Sequence, residues 1–110
     1  VMPNSVPAVD VSAIPADATL LDVREQDEWD AGHAPTARHI PMGELVERLG
    51  ELPADGQVYV ICRSGGRSAR VTQYLNGNGW DAVNVDGGMQ VWSALGQPVV
   101  SETGSEPQVI

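Results

Sequence analysis

Val58-Tyr59-Val60-Ile61-Cys62-Arg63-Ser64-Gly65-Gly66-Arg67-Ser68 is the stretch on which the fold turns. Residues 58–62 are uncharged, rich in β-branched side chains and free of polar alternation. Such a run predicts a strand covered on both faces, as in a parallel sheet. A glycine pair follows. Beyond it, Ala69, Val71, Thr72 and Leu75 are spaced for the inner face of a helix over residues 67–76. The segment therefore reads as strand, tight loop and helix, with Cys62 at the carboxyl end of the strand. In open parallel sheets, ligands bind beyond that end.

The same pattern extends in both directions. Residues 19–23 form a short apolar run predicted to be a buried strand. Residues 25–31 predict a short helix, acidic at its start and stopped by Gly32. Residues 38–40 predict a brief strand before Pro41. Leu45, Val46, Leu49 and Leu52 have helical spacing, so a helix is expected over 43–52, ending before Pro53. Residues 82–85 predict a further strand. Asp86-Gly87-Gly88 then turns the chain into a last helix with Met89, Val91, Trp92 and Leu95. A short first strand is expected at 9–11. Residues 1–8 read as a loose lead-in and 101–110 as a polar tail. Met2 reads as the native start, with Val1 added before it. Strands alternating with helices predict one α/β domain over 1–110 with a mainly parallel sheet.

Composition fits this picture and excludes several functions. The chain has 110 residues and is 42% hydrophobic, enough for one core without disulfides or metals. No apolar run is long enough for a membrane span, and no basic head followed by an apolar stretch marks a secretory signal. The 15 acidic residues outnumber the 6 basic ones, for a formal charge of −9. So acidic a chain repels nucleic acid and anionic membrane surfaces, and neither is an expected partner. Every basic residue is an arginine, and Arg63, Arg67 and Arg70 cluster beside Cys62. The cluster suits a small anionic ligand; the alternative is three solvated arginines near a helix start.

Cys62 is the only cysteine, so no intramolecular disulfide can form. That favours a reducing, cytoplasmic setting. An arbitrary lone cysteine is most often a small buried hydrophobe. Its neighbours here argue for a reactive thiol instead. Gly65 and Gly66 permit positive φ and a tight curl. A curled loop that feeds a helix turns its amides inward and cradles an anion. Those amides, the helix dipole and the arginines all favour a thiolate. No partnering general base is apparent, since His33 and His39 lie in the other half of the chain.

The loop resembles the active-site loop of the rhodanese family, in which four residues separate the cysteine from a closing arginine, here Cys62 and Arg67. Asp22-Val23-Arg24-Glu25, with Glu28-Trp29 and Gly32-His33 after it, resembles the family's amino-terminal signature. Asp86-Gly87-Gly88 with Trp92 resembles its carboxyl-terminal signature. Ala34-Pro35-Thr36 departs from the family pattern at a turn. The resemblance implies the rhodanese fold, a central and mostly parallel sheet flanked by helices on both faces. It also implies sulfur transfer through a Cys62 persulfide, with Arg63, Ser64, Gly65, Gly66, Arg67 and Ser68 binding a small anionic donor such as thiosulfate. A thiol or thioredoxin-like acceptor would then take the sulfur, and no cofactor or metal is expected.

Other residues in these signatures have plainer roles. Asp22 and Arg24 read as scaffold, His33 as a satisfied turn residue, Trp29 and Trp92 as packing residues, and Gly87-Gly88 as a tight turn. Two rival functions remain. A cysteine-based phosphatase or arsenate reductase places five residues between cysteine and arginine; that later position here is Ser68. A non-catalytic or partner-dependent relay module would keep the loop without turnover on small donors.

Overall fold

The computed structural model describes residues 6–110. Val1 and Met2, and most of the expected lead-in, lie outside the described residues. The strands are β1 (Ala8–Val9), β2 (Thr19–Asp22), β3 (Arg38–His39), β4 (Gln57–Ile61) and β5 (Asp81–Val85). The helices are α1 (Gln26–Ala31), α2 (Gly66–Gly77) and α3 (Gly88–Ala94). The strands form one five-stranded sheet in the order β1-β5-β4-β2-β3. Every pairing in it is parallel. All carboxyl ends therefore lie along one rim of the sheet, and β4, the central strand, delivers Cys62 to that rim.

Side-chain alternation divides the apolar residues between two layers. Leu21, Val23, Val58, Val60, Cys62 and Ala82 pack with Val71 and Leu75 of α2. Leu20, Ile61 and Val85 pack on the opposite face with Met89 and Trp92 of α3. The uninterrupted apolar character of β4 follows, because helices cover both of its faces. This is the α/β architecture expected from the sequence.

Three local expectations are corrected. The first strand is Ala8–Val9 rather than 9–11, and Val11 begins a 3-10 turn. The lead-in reaches the sheet, with Pro7 accepting a hydrogen bond from the Asn84 amide at 2.8 Å. The segment over 43–52 is not an α-helix but a pair of 3-10 turns, Met42–Glu44 and Val46–Glu51. Arg48 breaks helical geometry there, with φ −114° and ψ 15°. With Pro41 and Pro53 bounding it and Gly43 and Gly50 inside, the segment is too short and too glycine-rich to propagate regular turns. The 101–110 segment is polar, as expected, and it is also held against α1. Its Glu102 and Gln108 amides donate to Asp30 and Ala31 carbonyls at 2.9 and 3.0 Å. Gln108 packs so closely on Gly32 that a Cβ there would collide with its backbone. Among the described residues, no helix is long and apolar enough to cross a membrane.

Asp22 and Arg24 have the expected scaffold role. Both side chains are 0% exposed and form an ion pair of 2.8 Å at the end of β2. Arg24 also donates to the carbonyls of Glu28 and Gly32, at 3.3 and 2.7 Å, fixing α1 to the rim. Breaking one side of such a pair leaves an uncompensated buried charge. Arg24→Met should therefore cost about 3–5 kcal/mol of stability in urea unfolding. A loss below about 1 kcal/mol would show that the pair does not anchor the rim.

Candidate active site

Cys62 directly follows β4 and is 1% exposed, so it is more enclosed than an open catalytic loop requires. Its surroundings nonetheless differ from those of a core thiol, because polar donors face the sulfur. Gly65 adopts φ +114°, a conformation that side chains resist. Gly66 does not use positive φ; it opens α2 instead. The first amides of a helix lack carbonyl partners, and Gly65 has no side chain to cap them. The Cys62 sulfur occupies that place. Sγ accepts the Gly65 amide at 3.1 Å and the Ser68 hydroxyl at 3.2 Å.

Burial pushes the Cys62 thiol up. The Ser68 hydroxyl and the amides of Ser68, Gly65 and Ser64 outweigh it by hydrogen-bonding the thiolate, so the thiol sits below its usual range. Of the expected loop residues, Ser64, Gly65 and Ser68 thus converge on the sulfur. The cause of activation is mainly hydrogen bonding, where the sequence had pointed equally to the arginines.

The arginine cluster disperses. Arg67 makes a two-pronged ion pair with Glu28 of α1, at 2.6 and 2.8 Å. That hydrogen bonding raises the Arg67 pKa and lowers that of Glu28, and the Cys62 charge contributes to the former. Arg67 is therefore near the sulfur but already shared. Arg63 donates its Nε to the Ile110 carbonyl at 3.0 Å. Arg70 is exposed and lines a shallow hollow of about 190 Å³ with Met42, Leu45 and Tyr74.

Two features escaped the sequence. Asn84 of β5 is 6% exposed and accepts the Ser68 hydroxyl at 2.5 Å. The signal was present: Asn84 is a polar residue inside the apolar run 82–85, on the same side of the strand as the core residue Ala82. Gly87-Gly88 also does more than turn the chain. A Cβ on Gly88 would collide with the Cys62 and Arg63 carbonyls. That approach lets the amides of Met89 and Gln90 bond those carbonyls at 2.8 and 3.0 Å. The start of α3 thereby braces the peptide that carries the cysteine.

His33 lies away from this constellation. It contacts the Ala34 carbonyl and the Glu102 carboxylate, at 2.9 and 2.7 Å. Trp29 stacks between His33 and His39, with centroids 3.5 and 4.6 Å away. His39 in turn contacts the Arg24 carbonyl at 2.7 Å. Both histidines are satisfied structural residues.

A family model described as the Rhodanese-like domain matches residues 8–95. The chain belongs to the rhodanese-like domain family. Among its relatives is the Bacillus subtilis protein YtwF, 44% identical over 79 residues, covering 72% of this chain and 77% of that protein. A sulfurtransferase of Allochromatium vinosum is 37% identical over 89 residues, covering 80% and 83%. The crystal structure of a rhodanese-related protein from Thermoplasma volcanium superposes with a TM-score of 0.76 at 35% identity, over 86% of this chain and 97% of that one. The rhodanese-like fold that the resemblance implied is thus that of this chain.

The geometry ranks the loop residues by their effect on the thiol. Ser68→Ala should raise the Cys62 pKa, because it removes a donor to the thiolate. The acid limb of any Cys62-dependent rate should then move to higher pH. At neutral pH the rate should fall about ten- to a hundredfold, since a hydrogen bond to a charged group contributes about 1.5–3 kcal/mol. Arg67→Ala should shift the pKa the same way but less, because Glu28 already shares that charge. Thiol titration of both variants checks this order; a larger shift for Arg67→Ala would reverse it.

Proposed function

We propose that this rhodanese-like chain is a sulfurtransferase that carries a sulfane sulfur as a Cys62 persulfide. The observation that carries the reading is the pair of donors aimed at Sγ, the Gly65 amide and the Ser68 hydroxyl. A thiolate held this way needs no separate base to attack. With thiosulfate as donor, the thiolate's electron pair forms a bond to the outer sulfur. The sulfur–sulfur bond of thiosulfate breaks, and its electron pair leaves with sulfite. The product is Cys62–S–S⁻, and the total charge is unchanged.

Loop amides hold the negative outer sulfur. Arg63 and Arg67 orient the donor's sulfonate with the N–H groups that Ile110 and Glu28 leave free. A thiophile such as cyanide, a small thiol or a reduced thioredoxin-like protein then takes that sulfur and restores the thiolate. A reducing compartment, the cytoplasm, suits a lone reactive cysteine.

Ser68 weighs against a phosphatase. It stands where such a cradle would close with arginine, and its hydroxyl lies within hydrogen-bond reach of Sγ. The experiment is steady-state kinetics with thiosulfate and cyanide, beside an aryl phosphate assay. Ping-pong kinetics are expected with thiosulfate, no turnover with Cys62→Ser, and no useful aryl phosphate hydrolysis. Robust phosphate hydrolysis, or sulfur transfer retained in Cys62→Ser, would reject the reading. Uptake of sulfur without turnover on small acceptors would instead favour a relay between proteins.

A further inference from the structure

Ser68 Oγ carries one proton but has two acceptors in reach, Cys62 Sγ at 3.2 Å and Asn84 Oδ1 at 2.5 Å. A hydroxyl donates to one acceptor at a time. Ser68 is 0% exposed and Asn84 only 6%, so the choice is made largely inside the protein. The Asn84 amide is itself held in one sense. Its Nδ2 donates to the Gly65 carbonyl at 3.1 Å, which leaves Oδ1 facing Ser68. Gly65 in turn gives its own amide to Sγ. Asn84 thus touches two of the three residues that hold the sulfur, Ser68 and Gly65, without touching the sulfur itself.

We propose that Asn84 is a positioning residue, the alternative acceptor for the Ser68 proton, and that the hydroxyl turns between Asn84 and Cys62 as Sγ gains and loses charge. Its catalytic consequence rests on the persulfide reading above. In the thiol form, Cys62 donates its S–H to Ser68 Oγ, and Ser68 donates to Asn84. When the thiol proton leaves to solvent, Sγ can only accept, so the Ser68 hydroxyl turns to it. Asn84 Oδ1 then loses its partner inside the protein, which is unfavourable. In the persulfide the charge sits on the outer sulfur. Sγ becomes a neutral bridging atom and a weak acceptor, and Ser68 returns to Asn84. The site thereby disfavours the resting thiolate slightly and favours the step that moves charge off Sγ.

The sign of this effect separates it from simple anchoring of the loop. Asn84→Leu removes the acceptor at similar size. If the hydroxyl is shared, Sγ gains it permanently and the thiol pKa falls. If Asn84 only steadies Gly65, an amide donor to Sγ is weakened and the pKa rises. Thiol titration of wild type, Asn84→Leu, Ser68→Ala and the double variant decides. The expected result is a fall in Asn84→Leu and no further change when Ser68 is already alanine. With thiosulfate, the Asn84→Leu persulfide should be stripped by about fivefold less sulfite, the equivalent of one ordinary hydrogen bond.

Asn84→Asp provides a second test should the leucine variant fail to fold. It keeps Oδ1 and holds the hydroxyl more strongly, so it should raise the pKa more with Ser68 present than without. A rise or no shift in Asn84→Leu would overturn the proposal. So would equal shifts, from either Asn84 variant, with and without the Ser68 hydroxyl. The titrations need no sulfur donor. Failure of every donor to modify wild-type Cys62 would therefore reject the sulfurtransferase reading, while the four titrations still judge Asn84.

Discussion

A helix that begins without a capping side chain must satisfy its first amides with something else. In this chain that partner is the sulfur of Cys62. The constraint links the main layers of the molecule. β4 must end at the level where α2 begins, which requires a parallel sheet with its carboxyl ends on one rim. Gly65 must take positive φ for the chain to curl back over the sulfur. α3 must start at Gly88, since only glycine lets its amides reach the Cys62 and Arg63 carbonyls. Burial would by itself suppress a thiolate. The hydrogen bonds that fill the helix end reverse that effect.

A second tier of contacts holds this arrangement in place. The Asp22–Arg24 pair fixes the end of β2 to α1, and Glu28 of α1 reaches across to Arg67 of α2. The first is fully buried and structural. The second is partly exposed and ties the start of α2, beside Cys62, to α1. The positive charge beside the cysteine is therefore tempered by a carboxylate. Activation depends on aimed donors at least as much as on net charge.

The architecture was legible wherever a single physical demand governed a segment. The apolar run 58–62 had to lie between two layers, and Cys62 had to follow it at the rim. The glycine pairs marked both close turns. The expected helix over 43–52 failed because its apolar spacing was real but its glycines and flanking prolines left room only for 3-10 turns. Side-chain partners distant in sequence were the least legible. Glu28 lies 39 residues from Arg67, and Ile110 lies 47 from Arg63. No local pattern reveals such pairs, so three neighbouring arginines read as one anion site, although Arg63 and Arg67 have separate partners and Arg70 is exposed. Asn84 is hard to read in the sequence for a different reason. It sits inside an otherwise apolar strand, and a polar residue on the inward face of such a strand needs a partner, here Ser68, 16 residues away.

The central claim is that the sulfur at the head of α2 is a thiolate poised to accept another sulfur. Intact mass after brief treatment with thiosulfate and desalting tests it most directly. The account predicts a gain of one sulfur atom that maps to Cys62. Cyanide should remove it and release thiocyanate in matching amount, since the chain has no second cysteine to resolve the persulfide. If thiosulfate, a low-molecular-weight persulfide and 3-mercaptopyruvate all leave the mass of Cys62 unchanged, the account is contradicted and the loop is a binding feature rather than a sulfur carrier.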